Sequence, residues 1–211
     1  MKLYSYVVAH DYGFAPNPFY GFCTLATCKP GIRKGAELGD YIIGTGCSRH
    51  GKTGHLIYFM RVEQNVTFDE YWTNPQFACK RPFMRASKMQ AFGDNIYHHD
   101  PVTNLWIQES SFHSHPDGSP HPENIAHDTQ SDRVLIGREF AYWGAAAPKI
   151  PARFRNYKGD DICKRGQGYR VNLVAGLADD FIAWLGQLNQ RGFVGHPLDW
   201  TRKLGALNAA S

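Results

Sequence analysis

LGDYIIGTGCSRHGKTGHLIYFMRV, residues 38–62, is the stretch that decides how the chain folds. Its first third ends in a β-rich run after a Gly-Asp turn. Its middle, 48–54, is basic and glycine-containing, and 55–62 is again rich in the branched and aromatic residues of strands. The reading is a hairpin with a positively charged tip. Outward from it, Leu3–Ala9 has the composition of another strand, which would leave His10 and Asp11 at its end, and 134–137 and 140–144 add two more. Thr67-Phe-Asp-Glu70 has capping-box spacing and predicts a short helix ending by Asn74-Pro75. Leu177, Phe181, Leu185 and Leu188 recur at helical spacing, with Asp179 and Asp180 near the start and Gly192 beyond the end, so a helix is expected over 177–190. The last dozen residues read as a frayed tail. The fold class is α+β: a twisted mixed or antiparallel sheet with short peripheral helices and a C-terminal helix.

At 211 residues, 43% apolar and 14% aromatic, the chain can bury a full core, and one globular domain is the expectation. Its organisation reads as a core over 1–150, with a basic segment and a helix over 151–211 packed on it. A net charge of +4 permits a nucleic-acid partner without requiring one. The five cysteines, Cys23, Cys28, Cys47, Cys79 and Cys163, are scattered and form no C-x-x-C pair, which suggests a reducing compartment and neither a disulfide scaffold nor a four-cysteine zinc site. No stretch reaches the apolar length of a membrane span. A soluble, cytoplasmic protein with no membrane partner is expected.

Three clusters carry candidate chemistry. The first runs from His10 to Arg33. Its prolines and glycines make a loop rigid without regular hydrogen bonding, and Phe14, Phe19, Tyr20 and Phe22 offer a stacking wall for a planar ligand, or simply core. Cys28 in the same run is a candidate nucleophile near Lys29 and Arg33, which offer charge to a thiol or a phosphate, although a buried, inert cysteine is the commoner state. The second cluster is the histidine-rich run 110–128. Its H-S-H-P start resembles the JAMM metalloproteases, but Glu123 and Ala126 stand where that family has its serine and aspartate. No metal site is therefore assigned, and no cofactor is indicated. His113 reads instead as a general acid or base that Asp128 can orient. The third cluster is Gly93-Asp-Asn-Ile-Tyr97, in which Asp94 and Asn95 either hydrogen-bond the edge of a base or form an ordinary turn. A basic strip over 149–170 reads as a solvated face or a phosphate track.

Taken together, HDYGFAPNPFYGFCTLATCKPGIR (10–33), GDYIIGTG (39–46), FDEYW (68–72), GDNIY (93–97), FHSHPDGS (112–119), NIAHDT (124–129) and DRVLIGREFAYWG (132–144) resemble the nucleotide modification associated domain family, second type, over roughly residues 3–150. The resemblance implies a bacterial or phage protein associated with modification of nucleic-acid bases. It marks His10, Asp11, Asn17, Thr24, Cys28, Lys29, Arg33, Asp40, Asp94, Asn95, His113, Ser114 and Asp128 as the polar positions to follow. A looser likeness to PUA-like domains, including the EVE type, implies a small barrel that lodges a modified or flipped base. The leading expectation is recognition or processing of a modified nucleobase in DNA. Aromatics of the opening loop would stack on it, Asp94 and Asn95 would read its edge, and basic residues would hold phosphate. The rival is an enzyme acting on a nucleotide or base adduct through His113 with Asp128 or His10 with Asp11; a metallohydrolase is the third reading.

Overall fold

The computed structural model describes residues 1–201. In chain order the strands are β1 (Leu3–Val8), β2 (Cys23–Leu25), β3 (Tyr41–Gly46), β4 (Leu56–Arg61), β5 (Gln64–Val66), β6 (Tyr97–His99), β7 (Trp106–Gln108), β8 (Val134–Gly137), β9 (Phe140–Tyr142), β10 (Tyr169–Arg170) and β11 (Gly192–Phe193). The helices are α1 (Pro30–Gly35), α2 (Phe68–Thr73), α3 (Lys88–Ala91), α4 (Pro122–Asp128), α5 (Ala152–Arg155) and α6 (Leu177–Gln187).

The hairpin read from residues 38–62 is the centre of the molecule. β3 and β4 pair antiparallel, with Ile43 opposite Phe59, and a register shift between Gly44 and Thr45 bends the pair. The main sheet has six strands in the order β10-β1-β3-β4-β9-β11; β1 lies parallel to β3, and β10 returns antiparallel to β1. A three-stranded sheet, β2-β8-β5, and the small β6–β7 hairpin complete it. The main sheet is mixed and open at β10 and β11, so it does not close into the barrel that the PUA-like likeness implies. Ile42, Ile43, Ile57, Tyr58 and Phe59 are all buried, as expected of a central pair covered on both faces.

Local signals become structure where they were strong. Thr67 Oγ1 accepts the N–H of Glu70 at 3.2 Å and the Glu70 carboxylate accepts the N–H of Thr67 at 2.7 Å, so the capping box closes and α2 ends before Asn74-Pro75. α6 buries Leu177, Phe181, Trp184 and Leu185 in the core and ends three residues before the expected boundary, with Asn189 in the left-handed region at φ 48°. Most of the expected tail, residues 202–211, lies outside the described residues, whereas 198–201 form a 3-10 turn. No described helix is long and apolar enough to cross a membrane.

One further expectation is corrected here. The opening aromatics are not an exposed wall: Phe14, Phe19 and Phe22 are 3%, 1% and 8% exposed, and Tyr20 alone, at 37%, reaches solvent. Phe14 and Phe22 pack with Tyr12, Phe68, Phe77, Phe92 and Tyr97 in a second hydrophobic cluster, while Phe19 packs against Phe193 and Trp200. The long polar stretch 76–122 supplies Phe77, Phe92 and Tyr97 to that cluster and contains α3, β6 and β7, elements too short to show a period.

Candidate active site

β2 feeds a tight turn that presents Cys28. Cys28 and Lys29 both occupy the left-handed backbone region, at φ 56° and 43°, and Pro30 then starts α1, where its missing N–H costs nothing. A non-glycine residue held there costs about 1–2 kcal/mol, so something must fix it. Two groups do. The Cys28 N–H donates to Asp128 Oδ1 at 2.7 Å, and Arg33 Nε donates to the Cys28 carbonyl at 2.9 Å.

Arg33 is fully buried. It also donates to the backbone carbonyls of Ser131, Arg133 and Asp128, so it is a clamp under the turn and not a phosphate ligand.

Asp128 closes α4 with its side chain fully buried. Its Oδ2 accepts from His113 Nδ1 at 2.8 Å and from the Tyr97 hydroxyl at 3.0 Å, and its Oδ1 lies 3.2 Å from His127 Nδ1. On its other side the His113 ring places Nε2 3.7 Å from Cys28 Sγ. The ring is wedged against Phe14 at a centroid distance of 4.6 Å, and the His113 carbonyl takes the side-chain amides of Gln108 and Asn124. Thiol, imidazole and carboxylate are thus linked in sequence within one compact cluster, the carboxylate fixing which ring nitrogen faces Sγ.

Electrostatics agree with the geometry. Burial disfavours the charged ring of His113, but the bonds to Asp128 and Cys28 outweigh it and push its pKa up to about 10. Burial also works to raise the Asp128 carboxyl, yet the bonds from His113, His127 and the Cys28 N–H hold it well below the usual carboxylate range. At neutral pH the site therefore contains an imidazolium over an anionic carboxylate, with its Nε2 facing Cys28 Sγ.

Cys28, His113 and Asp128 lie within 4.8 Å of one another, which raises the question of a metal. Asp128 already accepts from three of its neighbours and from the Cys28 backbone. Sγ and Nε2 alone remain, two ligands where zinc takes three or four from protein. The residues do not fit a metal. His115 and His121, the other members of the histidine run, stack on each other at 4.3 Å instead.

Cys28 opens onto a cleft of about 1120 Å³, larger than the roughly 300–1,000 Å³ of most small-molecule sites. Lys29 and His10 line it with Cys28, and its far wall comes from the basic strip, through Arg155 and the loop Lys164–Gly168. The pairing of β10 with β1 carries that loop to the site.

Other sequence candidates sit elsewhere. Asp11 is buried apart from the cleft. Its carboxylate accepts from the Tyr142 hydroxyl and the Leu198 N–H, and burial raises its pKa to about 6. His10 and Asp11 therefore form no acid/base dyad.

Asp94 and Asn95 are fully buried and cannot meet a base edge. Asp94 accepts from Thr24 Oγ1 at 2.6 Å and Tyr71 at 2.8 Å, and Asn95 donates to the Tyr71 carbonyl. Asn17, also buried, accepts from Lys80 Nζ at 2.6 Å. Burial lowers that ammonium to about 8, with nearby Asp94 opposing the change. This network ties the opening loop to the segment 92–95 as a polar core. Asp40 caps its own turn, accepting the Glu37 and Lys2 N–H groups, and Ser114 Oγ bonds the Glu109 carbonyl. Tyr97 and Gln108, which support Asp128 and His113, carry no sequence signal of that role.

The chain is thus an open mixed α+β fold in which a Cys-His-Asp cluster meets a basic cleft through Cys28. The chain belongs to the nucleotide modification associated domain 2 family, whose model matches residues 1–204, well past the boundary near 150 at which the sequence motifs fade. Comparisons with curated proteins and with solved structures find no match for it.

Proposed function

We propose that this protein is a cysteine-dependent enzyme of a nucleotide or base modification system, with Cys28 as nucleophile, His113 as its acid/base partner and Asp128 orienting the ring. The approach of His113 Nε2 to Cys28 Sγ at 3.7 Å, with Nδ1 on Asp128 at 2.8 Å, is the observation that carries this reading. Family membership supports the substrate class, a nucleotide or a base in DNA. In the step envisaged, Sγ reacts as the thiolate paired with the His113 imidazolium: the S–C bond forms at an electrophilic carbon of the substrate as the bond from that carbon to its leaving atom breaks, and His113 gives its Nε2 proton to that atom. Water then attacks the same carbon, the C–S bond breaks to return the thiolate, and the proton lost by water goes back to His113.

A pure recognition module is less well supported. Of the residues expected to stack on a base or read its edge, Phe19, Asp94 and Asn95 are enclosed and Tyr20 alone is exposed, and a binder has no need of a charged imidazole behind a cysteine. Nucleosides and digests of unmodified and hypermodified phage DNA, incubated with the protein and followed by nucleoside mass spectrometry, test the reading. Turnover, together with a covalent adduct on Cys28 in the intact protein mass, is expected. Full turnover by Cys28→Ser would end the proposal.

A further inference from the structure

The basic lining of the cleft has a chemistry of its own. Four cationic side chains, Lys29, Arg155, Lys164 and Arg165, line the cleft, and no aspartate or glutamate is among its lining residues. Two acids lie just behind this lining: Asp128, beneath Cys28, is matched by the His113 ring, and Asp161 holds Arg155 through bonds of 2.7 and 3.1 Å and lies 3.9 Å from Arg165, whose side chain is 89% exposed. One carboxylate therefore offsets one of four positive charges and sets the direction of one arm. The backbone is shaped to the same end. Gly54 also lines the cleft, and a Cβ there would lie 2.2 Å from an Arg155 guanidinium nitrogen, so only glycine lets that guanidinium rest on the strand end. Gly166 and Gly168 take left-handed φ values of 69° and 83°, which turn the basic loop tightly and let its main chain approach a ligand.

We infer that Lys29, Arg155, Lys164 and Arg165 form a phosphate-binding wall, so that the substrate enters as a nucleoside phosphate with its phosphates on this wall and the group to be changed directed at Cys28. Guanidinium and ammonium groups bind phosphate oxygens through charge-assisted hydrogen bonds, and a cleft with one sign of charge concentrates such anions. The orientation rests on the reading of Cys28 as nucleophile; the phosphate contacts rest on charge and shape alone. The phosphates can belong to a free nucleotide or to a DNA strand, and both present the same oxygens.

Calorimetric titration of the full chain with thymidine, its 5′-monophosphate, its 5′-triphosphate and a short single-stranded oligothymidylate tests this. Phosphorylated probes should bind at least about tenfold more tightly than thymidine, more weakly as salt rises, and the Lys164→Ala/Arg165→Ala protein should lose at least about tenfold. A preference for the triphosphate marks a free nucleotide as the source, and one for the oligomer marks a strand. Equal binding of thymidine and its phosphates, unchanged affinity in the double variant, or no binding by any phosphorylated probe overturns the inference. Alkylation of Cys28 in the same samples separates the two proposals: phosphate binding with an ordinary thiol there leaves the wall standing and removes the nucleophile, and the converse does the opposite.

Discussion

The backbone N–H of Cys28 donates to Asp128 Oδ1 at 2.7 Å across a hundred residues of sequence, while the other oxygen of that carboxylate holds His113 at 2.8 Å. One buried side chain thus shapes the turn that presents the thiol and aims the ring that serves it. Removing its charge should damage both at once. Asp128→Asn is expected to cost on the order of 3 kcal/mol in urea unfolding, as for a broken buried ion pair, and to abolish turnover. Tyr97→Phe, which deletes a single donor to the same carboxylate, should cost about 1 kcal/mol and leave Cys28 alkylation nearly unchanged. Equal losses in the two variants would contradict the central place of the charge.

Stability should depend on pH through His113. Its folded pKa, raised to about 10, lies above the ordinary value of about 6.5, so the folded protein holds this proton more tightly than the unfolded chain does. The contribution is fully present below about 6.5 and disappears as pH climbs through 10. Asp128 has the opposite sign, its depressed pKa making a contribution that is lost only in strong acid. Denaturant midpoints of the wild-type and His113→Gln proteins should therefore differ most near pH 6 and converge toward pH 10. A gap that stays constant over that range would show that the ring is not held as its charged form.

Reactivity of the thiol gives a separate reading. Iodoacetamide should modify Cys28 faster in the wild-type protein than in His113→Gln, where no imidazolium faces Sγ, and the gap should close as pH climbs through about 10, where the ring loses its charge. Peptide mass mapping assigns the label, since Cys47 and Cys163 line the same cleft. Identical pH profiles in the two proteins would remove the basis for nucleophilic catalysis.

The opening loop offers a contrast between neighbours. Phe19, 1% exposed and 5.3 Å from the Phe193 ring, should cost about 3–5 kcal/mol on truncation to alanine. Tyr20, 37% exposed, should cost about 0.5 kcal/mol. Thermal melts of the two variants decide it, and comparable losses would mean that Tyr20 also packs as core.

What the sequence made legible follows from where its signals are local. The hairpin over 38–62, the capping box at Thr67 and the helix from Leu177 are each written in a few neighbouring residues, and each forms. Strands of two or three residues such as β6, β7, β10 and β11 have no room for a pattern. The site shows the same division. Cys28, His113 and Asp128 all stand out as reactive types, but nothing local says that the first belongs with the other two, because a turn, a hairpin and a short helix bring them together. Asp94 and Asn95 mislead for the complementary reason: polarity signals a need for partners, and theirs are Thr24 and Tyr71 inside the protein.

The placement of β10 beside β1 has a consequence for synthesis. A ribosome delivers the thiol early, its imidazole and carboxylate some eighty-five and one hundred residues later, and the cationic loop only with β10. Cys28 gains its imidazole and carboxylate with the middle of the chain, and its cleft is complete only as the last third arrives. A nascent or truncated chain lacking Lys164–Arg170 would therefore carry Cys28, His113 and Asp128 without the loop that completes the cleft beside them.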